Sequence, residues 1–148
     1  FLTLSISVDV VKPSKKPEKW NIRKLTMIST ILGIVKLVEL FIALYVAKLV
    51  NLPYPQMQSF IFYILLLTGL LNILNFRETG PFWGSRPGEY MLLAITVDSV
   101  VATILVWKGI IIPALPLNTM ALALTYVIAT FLVTDVAKIA VFKAFNYT

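Results

Sequence analysis

Cysteine and histidine are both absent from the 148 residues of this chain. Without them there is no disulfide, no thiol chemistry, no zinc site of the usual Cys/His kind, and no imidazole for proton relay or for a Ser-His-Asp triad. A Gly-rich phosphate loop of the Walker type is also missing, and the 6 glycines are scattered. We therefore expect this segment to hold no catalytic residue, no metal and no cofactor of its own.

Charge is scarce as well, at 14% of residues against 59% hydrophobic, with a mean hydropathy of +0.88. These values lie outside the range of soluble domains. The apolar residues form four long runs, Thr26–Val50, Gln58–Asn75, Tyr90–Ile112 and Thr119–Phe142. A helix needs about 20 residues to cross the hydrocarbon core, and no strand-like alternation accompanies the runs. The sequence predicts an all-α integral membrane protein with four transmembrane helices, at about 24–50, 58–76, 89–112 and 117–144.

The basic residues give the orientation of these helices. The net charge is +6, and most lysines and arginines fall before the first run, between the second and third, or at the end of the fourth. Lys48 and Lys108 alone mark the opposite side. By the positive-inside rule both ends and the middle loop are predicted to be cytoplasmic. Anionic lipid headgroups are the expected partners of this charge, and no basic groove with interleaved aromatics indicates nucleic acid.

Residues 1–22 differ from the 23–148 membrane region. Alternating apolar residues in Phe1–Val11 could form a strand or the end of an upstream membrane helix. Pro13 and Pro17 then interrupt a lysine-rich stretch, which disfavours a helix and indicates a cytoplasmic loop.

Three charged residues are predicted to lie at membrane depth. Lys36 and Glu39 fall about 18 and 22 Å along the first helix from Lys24, and Asp98 about 12 Å into the third from Tyr90. Because burying unpaired charge is costly, Lys36 is expected to contact Glu39 or Asp98. The pair of Lys36 and Glu39 could lock helix packing or line an ion path, and Asp98 could equally be structural or functional.

Other polar residues are expected to have packing or anchoring roles. Thr68, Asn72 and Asn75 form a stripe on the second helix that typically joins helices by hydrogen bonds. Asp135 and Lys138, near the end of the fourth helix, are predicted to reach solvent at the cytoplasmic interface as anchors. The turn-rich loop between the second and third helices is expected to be ordered rather than a mere linker.

Several motifs occur together in one known family. The stretch Ser5-Ile6-Ser7-Val8-Asp9-Val10-Val11-Lys12-Pro13-Ser14, followed by Pro17 and Trp20, resembles the loop after the sixth membrane helix of P-type plasma-membrane proton ATPases. The resemblance continues in the same order through Arg77, an aromatic cluster, Arg86-Pro87-Gly88 and Asp135-Val136-Ala137-Lys138. Asp9, Lys12, Pro13, Arg77, Arg86, Pro87, Gly88 and Asp135 are the motif residues that carry it.

The resemblance implies a C-terminal piece of a ten-helix pump, from the tail of helix six through helix ten. In that family the phosphorylated aspartate, the nucleotide domain and the proton-accepting carboxylate lie upstream, and nothing here matches them. Lys36 and Asp98 have no counterpart in the family pattern. The resemblance further implies ATP and Mg²⁺ for the parent pump only, the rest of the pump chain as partner, and a multi-pass position in the plasma membrane.

Two functions follow from this reasoning. In the first, the chain is the transmembrane support region of an ATP-driven proton exporter, a fragment of an enzyme whose chemistry is elsewhere. In the alternative, it is a self-contained four-helix membrane protein that acts as a small transporter, using Asp98, Glu39 and Lys36, or as an accessory subunit.

Overall fold

A computed structural model describes residues 22–77, 80–84 and 86–145 as four helices in sequence. They are α1 (Ile22–Leu49), α2 (Tyr54–Phe76), α3 (Glu89–Lys108) and α4 (Leu117–Ala144). Each is long and apolar enough to cross a membrane. The predicted all-α fold with four membrane helices is confirmed. The interpretations of Phe1–Val11 and of the proline-containing loop concern residues outside the described ones.

Prolines and one glycine set the helix limits that differ most from the predicted ones. Helix α2 begins at Tyr54, four residues before the predicted start, with Pro53 at the N-cap and Pro55 in the first turn, where no backbone N–H is needed. Helix α3 ends at Lys108 instead of near 112, because Gly109 adopts a left-handed φ of 65°. A Cβ at Gly109 would also lie 3.0 Å from the Ala114 backbone nitrogen, so any other residue would be strained there.

Helix α2 lies at the centre of the bundle. It packs against the other three helices, and α4 also packs against α1, whereas the main contacts of α3 are with α2. Small residues permit the close approach of α1, since Ala43 and Ala47 are fully buried. Large apolar side chains such as Phe41 and Val136 cover the outside of the bundle, as expected of surfaces that face lipid.

The start of α1 and the end of α4 lie at the same end of the bundle. Lys24, in the first turns of α1, donates a hydrogen bond of 3.2 Å to the backbone oxygen of Phe145 just after α4. The α2–α3 loop lies at this same end, which we call the basic end because it also carries Arg23, Arg77 and Lys143. At the opposite end, Ser59 Oγ donates to the Pro113 oxygen at 2.7 Å and ties α2 to the α3–α4 loop.

Candidate functional site

The first buried charge cluster joins α1 to α4. Lys36 Nζ donates to Glu39 Oε2 at 2.7 Å and to Thr134 Oγ1 at 2.6 Å. Thr134 Oγ1 in turn donates to Glu39 Oε1 at 2.8 Å. The spacing of three residues between Lys36 and Glu39 places both on one face of α1, so that they meet Thr134 together. We call these three residues the α1–α4 clamp.

The clamp satisfies nearly all of its own hydrogen-bonding groups. Both carboxylate oxygens of Glu39 accept from the protein, and two of the three N–H groups of Lys36 are used. Tyr126 adds a hydrogen bond from its hydroxyl to the backbone oxygen of Glu39, which is only 9% exposed. Because both oxygens of this carboxylate are already bonded to the protein, the carboxylate is poorly placed to bind and release a transported ion. The geometry therefore favours a packing role over an ion path.

A cavity of about 210 Å³, whose walls are mostly apolar, adjoins the clamp between α1, α2 and α4. Thr68, Gly69 and Asn72 of α2 line it opposite Lys36 and Glu39. Thr68 donates a hydrogen bond of 2.7 Å to the Ile64 oxygen of its own helix. Its hydroxyl is therefore used within α2 instead of joining α2 to another helix, as was predicted.

Asp98 lies outside the clamp. It is half-buried on α3, on the face that also carries Ile95 and Ala102, and this face packs against α2 rather than α1. Among the described residues Asp98 makes neither a hydrogen bond nor an ion pair, so Lys36 pairs with Glu39 alone. Within the same described segments no three acidic side chains come together to hold a metal ion.

A second buried cluster lies near the basic end, between α2 and α4. Lys138 Nζ lies 2.8 Å from Asp135 Oδ1 and donates to the Asn75 backbone oxygen at 2.6 Å. Asn75 Nδ2 donates across to the Phe131 oxygen at 3.2 Å, so the predicted helix-joining role of Asn75 is confirmed. We call Asp135, Lys138 and Asn75 the α2–α4 clamp.

The prediction that Asp135 and Lys138 reach solvent is wrong, because the α2–α3 loop folds over them. Lys138 is 0% exposed and Asp135 2% exposed. The backbone N–H of Phe82 donates to Asp135 Oδ1 at 3.2 Å, and the Phe82 ring packs edge-on against Phe131 with centroids 4.9 Å apart.

The loop is ordered, as predicted, at the residues that the structure describes. Arg77 Nη2 donates to the Arg86 oxygen at 2.9 Å and closes the loop, and Gly88 forms the N-cap of α3. Pro87 lies beside Gly88 and is half-buried. Of the other motif residues, Asp9, Lys12 and Pro13 lie outside the described part of the chain.

Sequence reasoning missed two residues of the first cluster, Thr134 and Tyr126. The available signal was the stripe Ala123, Val127, Thr130, Thr134 and Lys138, which recurs every three or four residues along α4 and is buried throughout. This helical period predicts one packed face, so Thr134 and Lys138 should have been placed together inside the bundle.

Comparison with known proteins identifies relatives of one kind. A putative cation-transporting ATPase of Methanocaldococcus jannaschii is 26% identical over 142 residues, 95% of this chain. The plasma membrane ATPase of Kluyveromyces lactis is 33% identical over 105 residues, 68% of the chain, and plasma membrane ATPase 1 of Saccharomyces cerevisiae is 32% identical over 111 residues, 72% of the chain. No family model matches the chain.

These matches occupy a small part of each relative. The aligned segment is 18% of the Methanocaldococcus protein and 12% of each of the two yeast proteins. The resemblance drawn from the sequence motifs is therefore confirmed, and it concerns one membrane segment of much larger proteins.

Proposed function

We propose that this chain, which is homologous to a membrane segment of P-type cation-transporting ATPases, is the C-terminal transmembrane support region of an ATP-driven proton exporter. ATP hydrolysis, Mg²⁺ binding and proton binding would then belong to the rest of the pump chain. The plasma membrane is the proposed location, as in the names of the yeast relatives.

The observation that carries this proposal is that the charged side chains of both clamps are paired within the bundle. Each joins α4 to an earlier helix through a lysine whose carboxylate partner lies on the same helix, three residues away. Such bonds fix helices relative to one another and leave few groups free for an ion. Helices held in this way suit the stationary part of a pump whose other helices move during the transport cycle.

The alternative of a self-contained small transporter draws on Asp98, the half-buried carboxylate without a partner in the described segments. The two functions predict different proteins in the native membrane. An antibody against the sequence around Trp83 should detect a chain several times longer than 148 residues if the segment belongs to a pump. A native band near 16.6 kDa would favour the small transporter.

We expect the isolated 148 residues neither to hydrolyse ATP nor to form a phosphoenzyme, since they contain no phosphate-binding loop and no motif that matches the phosphorylation segment. The full-length native protein, assayed in parallel, should incorporate acid-stable phosphate from labelled ATP. Phosphate incorporation by the isolated segment would refute the proposal that ATP hydrolysis belongs to the rest of the pump chain. If the full-length protein incorporates no phosphate, the pump assignment is refuted.

The orientation of the bundle gives a further prediction. We propose that the basic end faces the cytoplasm, by the positive-inside rule. Single cysteines at Ser14 or Ser85 should react with a membrane-impermeant thiol reagent only after cells are permeabilised, whereas cysteines at Gln56 or Asn118 should react in intact cells. Labelling of the Ser85 variant in intact cells would contradict this orientation. These 148 residues contain no cysteine, so background cysteines would have to be replaced only in the rest of the protein.

A further inference from the structure

An apolar groove runs along the outside of the bundle from the basic end toward the middle of the membrane. Its volume is about 500 Å³. The walls come from α1, from the last residue of α2 and from the end of α4. The lining residues are Leu25, Ile28, Ser29, Leu32, Gly33, Lys36, Phe76 and Phe142.

Small residues create the groove, and its length corresponds to one leaflet. Ser29 and Gly33 form part of the α1 wall, and a Cβ built on Gly33 would meet nothing within 4 Å. From Leu25 to Lys36 the α1 wall extends about 16 Å, at about 1.5 Å per residue. Half of a hydrocarbon core about 30 Å thick is about 15 Å. One extended acyl chain, entering from the basic end, would therefore span the groove.

The inner end of the groove is compatible with an apolar tail. Lys36 closes this end, but its ammonium is bonded to Glu39 and Thr134 of the α1–α4 clamp. The methylene stem of a lysine is apolar and can contact hydrocarbon while the charge is held elsewhere.

Basic residues lie next in sequence to residues that line the groove at the basic end, which is its mouth. Three of its lining residues each have a lysine or arginine as a sequence neighbour: Leu25 follows Lys24, Phe76 precedes Arg77 and Phe142 precedes Lys143. Arg23 adds a fourth positive charge one turn or less from the mouth. A basic residue near a membrane surface attracts anionic lipid with an effect of about fivefold in affinity per charge. The mouth thus favours a negatively charged headgroup.

We propose that this groove is a binding site for an anionic phospholipid. One acyl chain lies along Ser29 and Gly33, and the phosphate lies among the basic residues at the mouth. The charge at the mouth selects the headgroup, and the length of the groove selects a lipid from the leaflet that the basic end faces. The lining residues all belong to this chain, and the proposal requires that the groove face lipid in the full-length protein.

Native mass spectrometry of the full-length protein tests the site. The protein would be taken from vesicles that contain phosphatidylglycerol and phosphatidylcholine in equal amounts. We expect one retained phosphatidylglycerol per chain. Gly33→Trp, which fills the groove without a Cβ clash, should reduce retention at least tenfold, whereas Ile34→Trp, at a position 58% exposed on the next residue of α1, should leave it unchanged. Equal retention in Gly33→Trp and the parent would overturn the proposal.

Headgroup selection has its own control pair. Lys143→Gln, at an exposed position beside the mouth, should lower the preference for phosphatidylglycerol over phosphatidylcholine about fivefold. Lys48→Gln, exposed at the opposite end, should leave the preference unchanged. If Lys143→Gln and the parent show the same preference, the claim that charge at the mouth selects the headgroup is wrong.

A photo-crosslinking amino acid at position 33 identifies the occupant directly in membranes. An adduct with the mass of an anionic phospholipid supports the proposal. An adduct with another part of the same protein, or with a second copy, would show instead that protein covers the groove and would overturn it.

Discussion

Replacing Lys36 with methionine should destabilise the bundle by about 3 kcal/mol, at the lower end of the range for breaking a buried ion pair because the lysine side chain is 23% exposed. The substitution leaves Glu39 buried without its cation, so this carboxylate must take up a proton or bind water. Thr134 also loses a donor. The measurement is the unfolding midpoint of the full-length protein in mixed micelles titrated with a denaturing detergent.

Removing both charges should restore much of this loss. Lys36→Met combined with Glu39→Gln leaves no uncompensated charge, and replacing a whole buried pair is often close to neutral. Asp98→Asn is the matched control, because Asp98 takes no part in the clamp; it should change stability by less than about 0.5 kcal/mol. If Lys36→Met is as stable as the parent, or if Asp98→Asn rescues it, the α1–α4 clamp as described is wrong.

Lys138→Met should have the larger effect, about 4 kcal/mol, since Lys138 is fully buried and contacts two polar groups directly and a third through Asp135. It pairs with Asp135, binds the Asn75 oxygen and, through Asp135, supports the bond to the Phe82 N–H. Loss of the lysine should also loosen the loop. The prediction is checked by unfolding in mixed micelles together with the rate of chymotryptic cleavage after Trp83, which is exposed in the α2–α3 loop.

Lys48→Met serves as the control for both lysine variants, because Lys48 is exposed and makes no ion pair with the described residues. Its stability should match that of the parent. Asp135→Asn should fall between the parent and Lys138→Met, since the amide oxygen can still accept from the Phe82 N–H. If Lys138→Met unfolds at the parent's midpoint with unchanged cleavage, the buried position of Lys138 is contradicted.

The membrane helices, and the ion pair of the α1–α4 clamp as one of two alternatives, could be predicted from the sequence for a clear physical reason. Long apolar runs must form helices in a bilayer, because only then are their backbone hydrogen bonds satisfied. Lys36 and Glu39 lie three residues apart on one helix, so their contact depends only on local geometry. The partner of Lys36 on another helix could not be chosen in the same way. Asp98 was an equally good candidate by depth, and only the packing order, with α3 beside α2, separates it from α1.

The second clamp shows a different limit of sequence reasoning. Depth along a helix places Asp135 and Lys138 near an interface, where lysines normally reach water. Their burial depends on a loop more than 50 residues earlier in the chain, which places Phe82 against Phe131 and covers the carboxylate. The sequence of α4 itself does not indicate that the α2–α3 loop covers these residues. The buried periodic stripe on α4 was the only indication available from the sequence.

The dependence of both clamps on α4 has a consequence for the order of synthesis. Helix α4 is made after the other three, yet it supplies Thr134 to one clamp and the charged pair to the other. Until it leaves the ribosome, the Asn75 carbonyl lacks its lysine donor and the Phe82 N–H lacks its carboxylate. Membrane helices insert before they pack, and chains fold largely in the order in which they are made. The first three helices should therefore persist as a recognisably incomplete intermediate, on which membrane chaperones and proteases can act before the last helix arrives.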